Sequence, residues 1–187
     1  MAKKPKLSEI FPQGNGLNQG WARWIFVLLV VLVNVGCDQV SKQVVRDKVV
    51  YHEEISLISD QFILTKVENT GAFLSLGSDL SGIWRKVLLL YLPAVAMLVV
   101  LGVVLAQKDL TLGVLFGACC MIGGGIGNLI DRWLYGSVTD FLHIDLEIVR
   151  TGVFNLADVS IMTGAIVVMV LSFMKGKSKD LETEAPE

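Results

Sequence analysis

An all-α membrane protein with four transmembrane helices, and short strands over one membrane face, is the fold class this 187-residue sequence predicts. Three observations carry the prediction. First, 53% of the residues are apolar, 18% are charged and the mean hydropathy is +0.61, whereas a soluble domain carries about 25% charge. Second, Val87–Gln107 and Leu110–Ile130 are uncharged, each long enough for the about 20 residues a helix needs to cross hydrocarbon. Third, two shorter uncharged runs, Trp24–Cys37 and Val159–Met174, stop or start beside an acid, Asp38 or Asp158. They reach a full span only by taking that acid in, and a carboxylate at membrane depth costs enough to signal function.

The elements follow in order. Residues 1–20 contain Pro, Gly and Asn and read as a loose tail. Span one is expected over 22–42. The long connection 43–86 holds Ile55–Ser59 and Gln61–Val67, rich in β-branched residues and read as short strands. Asn69-Thr70-Gly71-Ala72-Phe73 then supplies turn chemistry. Spans two (86–107) and three (110–131) are joined by the turn Lys108-Asp109. A second connection covers 139–157, span four covers 156–174, and 175–187 is a charged tail expected to be disordered. Residues 21–174 form the expected four-span domain. The basic start, the apolar run and Val35-Gly36-Cys37 mimic a lipoprotein signal with its acylated cysteine. Asn34, where such signals prefer a larger aliphatic residue, and the three later spans count against that reading.

Orientation comes from basic residues. Lys3, Lys4, Lys6, Arg23, Lys108, Lys175, Lys177 and Lys179 lie on the side of the termini, and an equal number lie opposite. The clustered tails and the short turn put both termini in the cytoplasm. Whatever the sign, alternating helices bring Asp38, Asp131, Asp140 and Asp158 to one membrane face. Net charge of −2 without a basic stripe argues against a nucleic-acid partner. No CxxC pair or metal-ligand spacing exists, so neither a metal nor another cofactor is expected. His52 and His143 are isolated and read as solvated loop residues.

The acids admit more than one role. Taken singly, Asp140 and Asp158 fit helix N-caps. Taken together beside apolar helices, they fit a carboxylate pair, in which one member keeps a proton while the other takes one from water. Such a pair titrates as a unit. It hydrolyses a peptide without a metal or a nucleophilic Ser or Cys. Asn128, Asp131 and Arg132 share a helical face, and Asp131 beside Arg132 reads as a structural ion-pair network. Asp38 and Lys42 are an i, i+4 pair with a structural or substrate-positioning role. Asn69, Asn128 and Asn155 fit turns, interhelical bonds or the holding of a peptide backbone. A proton-coupled transporter would place its acids near the midplane and often shows an internal repeat, and no repeat is visible. A different intramembrane aspartyl protease would carry its pair deep within two spans, and a purely structural protein gives no reason for these Asn and Asp residues.

Five motifs stand in order: Asp38-Gln39-Val40-Ser41-Lys42, Asn69-Thr70-Gly71-Ala72-Phe73, Gly124-Gly125-Ile126-Gly127-Asn128-Leu129-Ile130-Asp131-Arg132, Val138-Thr139-Asp140-Phe141 and Phe154-Asn155-Leu156-Ala157-Asp158. On four spans, this set resembles the bacterial lipoprotein signal peptidase (signal peptidase II) family. The resemblance implies a small extracytoplasmic β-cradle and a multi-pass aspartyl endopeptidase of the inner membrane, with the active site near the extracytoplasmic face. Its partners would be membrane lipid and prolipoproteins, cut just before a cysteine carrying diacylglyceryl, and its inhibitor the peptide antibiotic globomycin. A monomer is expected. The catalytic pair would be Asp140 and Asp158. Asp38, Asn69, Gly71, Asn128, Arg132, Asn155 and Ala157 match positions near the substrate or supporting the dyad, and Lys42, Ala72 and Asp131 belong to the same motifs. One departure is visible: the family commonly reads Asn-x-Gly-Ala-Ala-Phe, whereas Phe73 here follows Ala72 directly. It falls on the loop and its inhibitor contacts, away from the dyad.

Overall fold

A computed structural model describes residues 20–58, 61–71, 82–107, 109–146 and 148–183. Ala72, Phe73 and the expected N-terminal tail up to residue 19 lie outside the described residues. Among the described residues, four helices are long and apolar enough to cross a membrane. They are α1 (Trp21–Lys48), α2 (Gly82–Ala106), α3 (Leu112–Tyr135) and α4 (Leu156–Thr183). Three strands, β1 (Ile55–Ile58), β2 (Phe62–Asn69) and β3 (Val138–Ile144), form one antiparallel sheet in that order.

The central helix is α3. Of its most apolar stretch 56% is buried, against 11–17% in the other three, so those three spend most of their surface on lipid. Leu115, Cys119 and Ile122 of α3 meet Val27 and Val30 of α1 and Val104 of α2 in the main core. Small residues on α3 let α4 approach closely. A side chain at Gly117 would strike the Gly164 carbonyl, and one at Gly164 would strike that of Gly117. In lipid, such close backbone packing replaces the hydrophobic drive that water would supply.

Helix ends follow local chemistry. Thr111 caps α3, its hydroxyl accepting from the Val114 N–H at 3.4 Å. Gly136 ends α3 with φ 74°, a left-handed position that suits glycine. At the far end of the bundle the buried Arg23 of α1 donates to the carbonyls of Val104 (2.5 Å) and Gln107 (2.6 Å), which α2 leaves without intrahelical partners. Within α2, Val87–Tyr91 is a π-helical stretch. It stands just before Pro93, which has no N–H to return to Leu89, so the ladder widens there.

Several expectations change. Span one does not end at Lys42: α1 runs to Lys48, so Asp38 lies inside the helix and not at its end. The extension carries Val45, and with Val49 just after its end it packs against Phe141 of the sheet. The tail expected to be disordered from residue 175 continues as helix to Thr183, because Lys, Leu and Glu are good helix formers even where the apolar stripe stops. The connection 139–157 contains β3, which periodicity did not reveal. His143 therefore sits half-buried on a strand, not in a solvated loop, whereas His52 is exposed in the turn after α1.

Candidate active site

The sheet and three helix ends converge on the expected face. Asp140 stands on β3 and is 3% exposed, and Asp158 lies in the first turn of α4. Neither is a helix N-cap, which corrects the single-residue reading. The cap of α4 is Asn155. Its Oδ1 accepts from the Asp158 N–H at 3.0 Å, while Asp158 Oδ2 accepts from the Asn155 N–H at 3.2 Å. This reciprocal capping box fixes the Asp158 carboxylate. The same Asn155 donates through Nδ2 to Asp140 Oδ1 at 2.6 Å. One fully buried asparagine thus touches both carboxylates.

Two further asparagines complete the cradle. Asn69, at the end of β2, donates to Asp140 Oδ2 at 2.9 Å and accepts from the Gly71 N–H at 2.9 Å. Cross-strand register explains the first bond: Val67 faces Asp140 and Asn69 faces Val138, so Asn69 and Asp140 are diagonal neighbours on one face. An irregularity between Leu64 and Val67 precedes this pair and re-aims the strand beside the site. From α3, Asn128 donates to Asp158 Oδ1 at 2.9 Å and accepts from Asn155 (3.2 Å) and Lys42 (2.9 Å). With two donors on its oxygen and a carboxylate on its nitrogen, the Asn128 amide has one sensible orientation.

Beneath the acids lies a charge cluster. Lys42, 0% exposed, donates to Asp38 (2.8 Å) and Asn128 (2.9 Å) and forms an ion pair with Asp131 (3.1 Å). Asp131 also pairs with Arg46 at 2.9 Å and accepts from Gln39 at 3.1 Å. Two carboxylates thus meet two cations, the arrangement that makes buried charge tolerable. Asp38 Oδ1 accepts from the Ala157 N–H at 2.9 Å, tying α1 to the start of α4. A side chain on Gly127 would collide with Asp38 Oδ2.

Asp131 does sit in an ion-pair network, but its partners are not the adjacent Arg132. Asp131 turns to Lys42 and Arg46, while Arg132 donates to the Gly71 carbonyl at 3.2 Å, with Asp158 and Asp140 as its leading charge neighbours. Adjacent residues on a helix point about 100° apart, so they serve different partners. The structure thus brings together every described candidate residue. The sequence reading did not single out Arg46, which pairs with Asp131 in this cluster. Arg46 was findable: it repeats the i, i+4 spacing from Lys42, once the helix is extended.

Burial pushes the Asp140 carboxyl up from 3.8 to about 6, helped by the Asp158 charge and opposed by the bonds from Asn69 and Asn155. Two carboxyls joined by one asparagine, one of them holding its proton toward neutrality, can activate a water and polarise a carbonyl together. Among the described residues no group of three metal-ligating side chains occurs.

Comparisons with known proteins agree. Residues 27–174 match the family described as Signal peptidase (SPase) II. A lipoprotein signal peptidase of Shewanella halifaxensis is 38% identical over 156 residues, covering 83% of this chain and 88% of that protein. One from Treponema denticola is 36% identical, covering 84% and 93%, and one from Neisseria meningitidis serogroup C is 32% identical, covering 84% and 92%. A solved bacterial membrane enzyme shares the fold, with a TM-score of 0.73 over 87% of this chain and 93% of its own, at 22% identity. With the family match spanning all four membrane helices, and relatives above 30% identity over most of the chain, this protein belongs to the signal peptidase II family.

Proposed function

We propose that this protein is an aspartyl endopeptidase that removes signal peptides from prolipoproteins, cutting before the diacylglyceryl-modified cysteine with Asp140 and Asp158 as its dyad. The observation that carries the reading is Asn155, which donates to both carboxylates at once. The shared proton begins on Asp140, the buried partner raised to about 6. Asp158 takes a proton from water, whose oxygen attacks the scissile carbonyl carbon. Asp140 gives its proton to the carbonyl oxygen. The tetrahedral diol then collapses: the C–N bond breaks, the leaving cysteine amine takes a proton from Asp158, and Asp140 recovers its own. Water is consumed and the dyad returns to its starting state. Asn69, Asn128, Asn155 and the Arg132 guanidinium orient the acids and the bound peptide, and Gly71 joins Asn69 to Arg132 through its N–H and its carbonyl. Asp38, Lys42, Asp131 and the Ala157 N–H hold the helix ends beneath.

The substrate's signal helix lies between spans and its acyl chains stay in membrane lipid. The enzyme works as a monomer in the bacterial inner membrane, termini in the cytoplasm and dyad near the extracytoplasmic face. Globomycin would block it at the dyad. The decisive experiment uses Asp140→Asn and Asp158→Asn in purified, detergent-solubilised protein with a diacylglyceryl-modified prolipoprotein. Each variant should keep its thermal melt and lose about 10²–10⁴-fold in kcat, the scale of a lost general acid or base. Parental turnover by either variant would end the dyad reading.

A further inference from the structure

The back of the sheet carries a second polar assembly. Alternation along β3 puts Asp140 on one face and Thr139, fully buried, on the other. On that back face Thr139 opposes Glu68 of β2. The Thr139 hydroxyl donates to Glu68 Oε1 at 2.8 Å, and the Ser137 hydroxyl donates to Glu68 Oε2 at 2.5 Å. Arg46, from the extended end of α1, closes the group. Its Nε donates to Thr139 Oγ1 at 2.8 Å and its Nη2 pairs with Asp131 at 2.9 Å. Its guanidinium lies 4.2 Å from the centre of the Tyr135 ring, and its carbonyl accepts from Lys66 Nζ at 3.1 Å. Asp131 also accepts from the Thr139 backbone N–H at 3.2 Å.

Arg46 therefore joins α1, the end of α3, β2 and β3 through one residue. The sites it holds are adjacent to the chemistry. Thr139 directly precedes Asp140, with both its backbone N–H and its hydroxyl held. Glu68 directly precedes Asn69, the donor to Asp140 Oδ2. The back-face bonds thus fix the two peptide units that present the front-face pair Asn69–Asp140. A lysine could keep the charge toward Asp131 but not the two-direction fork of the guanidinium.

We infer that Arg46, acting through Thr139 and Glu68, is a positioning residue for catalysis, holding the Asn69–Asp140 pair in its reactive geometry from behind the sheet. This inference rests on the dyad reading above. It predicts a loss in kcat with little change in KM, because Arg46 and Thr139 set where Asp140 sits and touch no substrate.

The test compares Arg46→Lys, Thr139→Val, Thr139→Ser and Asp140→Asn in one detergent preparation with lipidated prolipoprotein, each with its thermal melt. Thr139→Val removes the hydroxyl and Thr139→Ser keeps it, so the pair separates the bond from general packing. Arg46→Lys and Thr139→Val should lose about tenfold in kcat, as expected for a misplaced catalytic group, with KM unchanged. Thr139→Ser should turn over like the parent. If Thr139→Val or Arg46→Lys keeps parental kcat, or if Thr139→Ser falls as far as Thr139→Val, the positioning role is wrong. If Arg46→Lys fails to fold, the two Thr139 variants decide the matter alone. If Asp140→Asn still cleaves, the dyad reading itself has failed. If it is inactive while Thr139→Val is fully active, only the Arg46 inference falls.

Discussion

Asp140 is a carboxyl group set against its own ionisation. Burial and the neighbouring Asp158 raise it to about 6, while donors from Asn69 and Asn155 pull the other way. In an unfolded chain the group would titrate at 3.8. The folded state therefore holds the proton more tightly, and the stability this residue contributes is greatest below pH 4 and is lost as pH rises through about 6. In the proposed mechanism the same proton is the one given to the carbonyl. Loss of it on the alkaline side should depress kcat/KM, with a limb that belongs to the pair. Asn69 favours the ionised carboxyl by donating to it. Asn69→Ala should therefore move the alkaline limb of kcat/KM to higher pH while lowering its plateau. A limb that stays in place, or moves to lower pH, would show that Asn69 does not act on Asp140. Residue type alone could not tell these acids from helix caps. Asp158 does belong to a capping box, but as the acid that reaches back and not as the cap.

At the scale of elements, the site exists because α4 starts against α1 and α3 in one geometry. Gly117 and Gly164 let α3 and α4 meet backbone to backbone, and one turn or so nearer the site Ser160 donates to Asn34 Oδ1 at 2.6 Å, tying α4 to α1. Gly164→Ala would press a methyl group onto the Gly117 carbonyl and the Met121 side chain. It should cost about 1–3 kcal/mol by overpacking, read as a lower melting temperature in detergent. An unchanged melt would mean that the two helices slide apart at no cost. The helices themselves were legible in the uncharged runs, because lipid demands long apolar stretches. β1 and β2 were legible from their β-branched residues. β3 was not: its polar and apolar residues serve two buried faces, Thr139 on one and Asp140 on the other, so no solvent-facing alternation marks it. The end of α1 was hidden for a related reason. Asp38, Lys42 and Arg46 look like the polar end of a span, yet the helix continues through them: Lys42 pairs with Asp38, and Lys42 and Arg46 both meet Asp131 of α3. The partner of Asp131 lies far along the chain, and sequence adjacency pointed to Arg132 instead.

The whole molecule is a bundle with two unlike ends. One end has the α2–α3 turn and the start of α1, where Arg23 ties α1 to the end of α2 and Trp21 and Trp24 are exposed. The other end has the sheet, the Asp140 and Asp158 carboxylates and exposed Trp84, Trp133 and Tyr135. Exposed aromatic residues at both ends fit the two headgroup belts of a membrane, with the polar asparagine layer just inside one of them. In the proposed reaction the scissile bond would then sit where a signal helix leaves the bilayer and water is at hand. The unlike ends also make the orientation testable without reference to activity. Cys119 and Cys120 are buried and Cys37 is exposed, so a Cys37→Ser background leaves no accessible native thiol among the described residues. Glu53 and Asp109 are exposed at opposite ends. In intact spheroplasts a membrane-impermeant maleimide should label Glu53→Cys, whereas Asp109→Cys should react only after lysis. The reverse pattern would turn the protein over and put the dyad in the cytoplasm. There the even count of basic residues across the two faces would have misled, and prolipoproteins would have to be cut before export.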